Sequence, residues 1–206
     1  MTLADIAGGL LALIARLITG TQGHWKGCPP KAEQRIYFAN HQSHLDWVLI
    51  WAALPHDLRV RTRPIAARDY WTATPLRQWI TTEVFHAVYV SRQRSEEEDP
   101  LEPLVQALTQ GDSLVLFPEG TRSNKPEPMP FKSGLYHLAL QFPGVQLVPA
   151  WIDNVQRVMP KGEVVPVPIL CTVTFGTPIG VEPGEDKRDF LLRARNAVLA
   201  VRPVAA

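Results

Sequence analysis

The 206 residues predict a single α/β domain: a central mixed, mostly parallel sheet flanked by helices, preceded by one apolar helix. Three observations carry that expectation. Strand-like and helix-like segments alternate from residue 35 onward, the pattern of an α/β domain. The strand segments are rich in β-branched and aromatic residues and bounded by turn residues. The 19 prolines are scattered, which marks many loops and no Pro-rich linker or internal boundary.

Residues 1–27 are expected to form an apolar helix and a connector, and residues 28–206 the main domain. The run Ile6–Ala15 is uncharged, with Asp5 before it and Arg16 after it. It falls short of the ~20 residues that span a bilayer. A secretory signal would carry positive charge where Asp5 stands. An interfacial helix and an ordinary core helix both remain open. The interfacial reading is favoured because the segment is apolar on most sides, with Trp25 and Lys26 suited to the headgroup layer.

The remaining elements follow in order. Strands are expected over 35–39, 63–67, 85–90, 113–117, 145–152 and 169–175. Helices are expected over 44–53, 75–82, 100–110, 133–141 and 187–201. The third helix is the best punctuated, with Asp99 as cap, Pro100 at the first position and Gly111 after the end. A formal net charge of +1 argues against a nucleic-acid binder that works by bulk charge. Cys28 and Cys171 form no CxxC pair, so they suit structural roles and give no zinc signature.

Two segments carry chemistry. Asn40-His41-Gln42-Ser43-His44-Leu45-Asp46 follows the first strand. On one helix, positions 41 and 46 would point about 140° apart. His41 and Asp46 can therefore meet only if His41 is on a loop and Asp46 on the helix after it. Ser43 as N-cap would supply that break. An imidazole held by a carboxylate makes a general base. The plainer reading is a helix-capping Asp46 beside an ordinary loop histidine.

Phe117-Pro118-Glu119-Gly120-Thr121-Arg122-Ser123 follows the fourth strand. Gly120 permits positive φ or a close approach to a ligand. Arg122 offers a planar fork for phosphate or carboxylate. Thr121 and Ser123 add hydroxyls, and Lys132 stands beside the start of the next helix, a natural place for an anion. A surface turn with Glu119 paired to Arg122 is the plainer alternative. Arg92 ends the third strand and could reach the same pocket. Because these segments all follow strands, they are expected in one site beyond the carboxyl ends of the strands, where ligands of such folds bind. Arg59, Arg61 and Arg63 alternate, predicting either a cationic strand face toward anionic lipid or a charge-protected edge strand.

These motifs resemble the glycerolipid acyltransferases, most closely the bacterial 1-acyl-glycerol-3-phosphate acyltransferases of the PlsC type. Asn40-His41 through Asp46 matches the first family block, and Phe117–Ser123 matches the third throughout. Val88–Arg92 and Val148-Pro149-Ala150 resemble the second and fourth, and Phe131–Gly134 and Met159–Gly162 resemble further landmarks. The second block departs from the pattern: His86 stands where glycine is usual, and Ser91 where aspartate often precedes the arginine.

The resemblance implies acyl transfer from an acyl-CoA or acyl-carrier-protein thioester to a lysophospholipid hydroxyl, without a resident cofactor or metal. His41 would be the general base and Asp46 its orienting acid. Arg92, Glu119, Gly120, Thr121, Arg122 and Lys132 would hold the phosphate-bearing acceptor. It also implies a membrane-associated protein at the cytoplasmic face of the inner membrane. No Gly-x-Ser-x-Gly elbow is present, so no covalent acyl-enzyme is expected. Two alternatives from other classes are a metal-dependent hydrolase using His41, His44 and Asp46, and a non-catalytic lipid binder.

Overall fold

The computed structural model describes residues 3–43, 45–91, 99–123, 125–153 and 171–203. Seven strands form one sheet: β1 (Gln22–Trp25), β2 (Arg35–Ala39), β3 (Thr62–Ala67), β4 (Val88–Val90), β5 (Ser113–Leu116), β6 (Gln146–Asp153) and β7 (Thr172–Phe175). Their order is β1-β7-β6-β2-β5-β3-β4. β6, β2, β5, β3 and β4 run parallel, while β7 is antiparallel to β6 and parallel to β1. The sheet is thus mixed and mostly parallel, as expected.

Among the described residues, eight helices accompany it: α1 (Leu3–Thr19), α2 (Asp46–Ala53), α3 (His56–Arg59), α4 (Arg68–Trp71), α5 (Pro75–Trp79), α6 (Glu102–Thr109), α7 (Gly134–Gln141) and α8 (Lys187–Ala200). β2 is buried at all five positions, and beyond Arg35 its side chains Ile36–Ala39 cover both faces of the sheet. Tyr37 and Ala39 pack with Trp47, Trp51 and Phe175 on the α1–α2 side; Ile36 and Phe38 pack with Leu135, Leu138 and Phe190 on the α6–α8 side. The alternation along one strand thereby builds two cores, one on each face.

Several expectations are corrected. β1 lies in the stretch read as a connector; it is a short, half-exposed edge strand with no apolar run to betray it. Trp25 stacks on Phe175 at 4.2 Å between ring centroids, which engages it in the sheet. The strand expected from Phe85 begins only at Val88. α5 instead runs into a π-helical turn, Ile80–Val84, closed by the Phe85 N–H on the Ile80 carbonyl at 3.1 Å. That turn points Phe85 into the aromatic core against Trp47 and Trp51.

The cationic strand face is absent as well. Arg59 ends α3, and only Arg63 lies in β3, where it pairs with Asp112 at 3.0 Å. β3 also sits between β5 and β4, so it is no edge strand. α6 starts at Glu102, two residues later than its prolines suggest, and Asp99 caps the preceding turn through the Leu101 N–H. Arg92, His44, the landmark at 159–162, and residues 169–170 of the last expected strand lie outside the described residues.

Candidate active site

Everything that forms the site hangs from the carboxyl ends of parallel strands. β2 ends at Ala39, and Asn40 ties that end to β6 through two side-chain bonds, to the Ile152 carbonyl (3.0 Å) and from the Ile152 N–H (2.8 Å). The chain then turns, and His41 presents its ring on a loop, as the five-residue spacing requires. Nδ1 lies 2.8 Å from Asp46 Oδ2. The same oxygen accepts from the backbone N–H groups of Gln42 (2.6 Å) and Ser43 (2.9 Å).

Ser43 is not the helix cap. Leu45 occupies that position in helical conformation, and Ser43 Oγ accepts from the Leu45 N–H at 3.3 Å. Asp46 opens α2 and reaches back over the loop, so its carboxylate organises the turn that Ser43 was expected to organise. Asp46 is fully buried, whereas His41 keeps 19% of its side chain exposed. A carboxylate can only accept. His41 must then donate from Nδ1, which leaves the Nε2 lone pair for a proton from elsewhere.

The ring is also fixed from below. Phe117, at the end of β5, stacks on it with centroids 4.2 Å apart and an interplanar angle of 14°. Glu119 then clasps the loop from the side. Its Oε1 accepts from the His41 N–H and its Oε2 from the Met129 N–H, both at 2.8 Å. The Ser123 N–H returns to the His41 carbonyl at 2.9 Å. Glu119 is 2% exposed, and burial pushes its carboxyl above the ordinary glutamate range, partly offset by the two N–H bonds and by His41. Both Glu119 oxygens are thus engaged by main-chain N–H groups.

Gly120 follows with φ +69°. A Cβ there would stand 2.6 Å from Lys132 Nζ, so the lysine side chain lies directly across the glycine. Thr121, Arg122 and Lys132 are exposed. His41, Gly120, Thr121 and Arg122 line one cavity of about 430 Å³. Its remaining lining is mostly apolar and aromatic, including Ile65, Leu104 and Leu116, with Trp47 and Trp71. Ser91, at the end of β4, lines it too. The cavity therefore straddles the sheet edge between the two helical layers, with a basic, hydroxyl-bearing part and a hydrocarbon part. Its volume suits a small amphiphile or a portion of a larger one.

A family model described as Acyltransferase matches residues 27–153, well over half of the chain. This chain belongs to the acyltransferase family. Its relatives include the 1-acyl-sn-glycerol-3-phosphate acyltransferase alpha of Mus musculus, 31% identical over 160 residues, covering 75% of this chain and 53% of the relative. The 1-acyl-sn-glycerol-3-phosphate acyltransferase of Limnanthes douglasii is 29% identical over 185 residues, covering 87% and 62%. The chain thus spans between about half and two thirds of the length of these curated relatives. In fold this chain is similar to the crystal structure of the LPA acyltransferase PlsC from Thermotoga maritima, with a TM-score of 0.73 and 20% identity, covering 95% of this chain and 77% of that one.

Neither cysteine suits covalent chemistry. Both are buried and unpaired by disulfide. Burial pushes the Cys171 thiol up to about 12, with Asp153 and Asp46 adding to the rise, and burial also raises Cys28. Among the described residues, no group of three or more His, Cys, Asp or Glu side chains is placed to hold a metal ion.

Sequence reasoning missed two supports of this site, the Phe117 platform and the Asn40 tie. Asn40 was legible only as a motif letter, because its partner is 112 residues away.

Proposed function

We propose that this protein moves a fatty acyl group from an acyl-CoA or acyl-carrier-protein thioester to the free hydroxyl of 1-acyl-glycerol-3-phosphate, giving phosphatidic acid. The observation that carries the reading is that His41, held by the buried Asp46, lines the same cavity as Arg122. The names of the relatives support the choice of acceptor.

In the proposed reaction, His41 Nε2 takes the hydroxyl proton as the acceptor oxygen attacks the thioester carbonyl. The new C–O bond forms, the C–S bond breaks, and the thiolate leaves and takes up the proton. Asp46 stabilises the imidazolium in between. Such a base contributes typically 10²- to 10⁴-fold, roughly 3–5 kcal/mol. The thioester brings its own activation, so the reaction as written needs no resident cofactor. Arg122, with Lys132 and Arg92, would neutralise the acceptor phosphate, and Thr121 would add a hydroxyl hydrogen bond. Glu119 serves by holding the His41 loop against the anion-binding turn. The apolar lining would receive the acyl portion.

The same reading puts the protein on a membrane surface, at the cytoplasmic face of the inner membrane. No helix among the described residues is long and apolar enough to cross a membrane. α1 turns Gly8 and Ala12 inward and leaves Leu3, Ile6, Leu10 and Leu13 at least half exposed. An apolar face of that kind needs a partner. α5 exposes Leu76 and Trp79 nearby in the chain fold, beside the π-helical turn on which α1 packs. In this account residues 1–27 anchor and residues 28–206 react.

A second acceptor is favoured by one observation. Ser91, in place of the family's frequent aspartate, lines the cavity. A different lysolipid, such as a lysophosphatidylglycerol or an acylated amino-acid lipid, is the alternative. A donor and acceptor screen with purified protein, scored by mass spectrometry of the product lipid, decides between them. Phosphatidic acid as the main product supports the first reading; no acylated lipid from any acceptor would overturn both.

A further inference from the structure

Between the Arg122 turn and Lys132 the chain reads Lys125-Pro126-Glu127-Pro128-Met129-Pro130. Proline at every second position removes three N–H donors and fixes φ there. This strap accordingly joins neither sheet nor helix, and its carbonyls look elsewhere in the chain for donors. They find them on α8, a helix that has no part in the proposed chemistry. Arg195 Nε donates to the Pro128 carbonyl and its Nη2 to the Glu127 carboxylate, both at 2.8 Å. Arg202, seven positions further on, donates from Nη1 to the Pro126 carbonyl at 3.3 Å while its guanidinium lies over the Trp151 ring.

The Pro128 carbonyl and the Met129 N–H belong to one peptide group, which is planar and stiff. Arg195 donates to the oxygen of that plane, and the N–H of the same plane donates to Glu119 Oε2 at 2.8 Å. The Glu119 carboxylate is a second rigid plane, and its Oε1 takes the His41 N–H, again at 2.8 Å. Three hydrogen bonds through two rigid groups therefore join an arginine on α8 to the backbone of His41. Each bond in such a row polarises the next. The ion pair with Glu127 adds little, because that carboxylate is exposed. The bond to buried Pro128 is the one that reaches the site.

We infer that Arg195 is a positioning residue for His41. By holding the Pro128–Met129 peptide it fixes Glu119, and through Glu119 the loop that presents the imidazole. The inference rests on His41 being the base of the proposed reaction. It gives α8 a task beyond packing, since Phe190, Ala194 and Val198 already seat that helix on the core.

The test sets Arg195→Ala beside Arg193→Ala. Arg193 stands on the same helix and makes comparable bonds, to Glu185 and the Gly180 carbonyl, away from the strap. It reports what simple loosening of α8 does. Amide hydrogen exchange, followed by NMR without substrate, should be at least fivefold faster at Met129 and His41 in Arg195→Ala and unchanged there in Arg193→Ala. In steady-state acyl transfer, kcat should fall at least fivefold in Arg195→Ala with acceptor KM within twofold, and both should stay within twofold in Arg193→Ala. Glu119→Gln breaks the row of bonds, so adding Arg195→Ala to it should lower kcat by less than a further twofold. Unchanged exchange or unchanged kcat in Arg195→Ala, equal effects of the two arginine variants, or full multiplication of the losses in the double variant would overturn the inference. The exchange measurement needs no turnover, so failure of the proposed reaction is seen separately, as no product from the unaltered protein.

Discussion

The loop after β2 and the loop after β5 meet at one cavity, yet they are built to opposite rules. In the first, Asn40, His41 and Asp46 are all committed to partners, and Asp46 Oδ2 alone accepts from three donors. In the second, Thr121 and Arg122 stand exposed on the rim, with Lys132 folded across Gly120. Glu119 belongs to the second loop by sequence but works for the first, since its carboxylate grips the His41 N–H. The difference separates two tasks. Proton transfer needs a ring held within a narrow range of positions, whereas binding a charged headgroup from solution needs donors that stay accessible until it arrives.

The contrast can be broken from the rigid side first. Asp46→Asn replaces one strong acceptor with an amide that cannot take three donors. In the proposed reaction kcat should fall by about 10²-fold or more through loss of the tautomer control. Acceptor KM should change little, as steady-state kinetics will report. Next, Glu119→Ala leaves the buried N–H groups of His41 and Met129 without acceptors. Each orphaned group costs about 1–3 kcal/mol, about 2–6 kcal/mol for the two, so thermal denaturation should show a Tm lower by roughly 4–24 °C, with reduced kcat in the fraction that folds.

The rim should respond more mildly and in the other parameter. Arg122→Ala should raise acceptor KM about tenfold at nearly constant kcat, the loss of one charge-assisted contact in partial solvent. Gly120→Ala should act least. Its Cβ would displace the flexible end of Lys132, and the positive φ would strain an alanine by about 1–2 kcal/mol. A modest drop in Tm and a few-fold rise in acceptor KM are expected. A kcat collapse in Arg122→Ala, or a KM effect alone in Asp46→Asn, would erase the division of labour.

Much of this was legible in the chain because it depends on local pattern. Strands β2, β5 and β6 announce themselves as apolar runs between turn residues, and the His41-to-Asp46 spacing forces a loop-to-helix arrangement. What stayed hidden depends on distant partners. β1 is defined only by β7, some 150 residues away, and its own four residues carry no apolar alternation. Glu119 reads as a ligand contact because a conspicuous carboxylate beside Gly and Arg suggests one, while its main-chain partners give no local signal. Its acceptor role toward main chain 78 residues distant is invisible without coordinates. The π-helical turn hid for a related reason: Phe85 reads as strand, but its ring is wanted by Trp47 and Trp51.

The most direct measurement is single-turnover acyl transfer by purified His41→Ala beside the unaltered protein, with folding checked by circular dichroism. The account predicts a rate lower by about 10²- to 10⁴-fold in a protein that folds normally. A rate within a few-fold of the unaltered protein would contradict it, because the imidazole would then have no part in removing the acceptor proton.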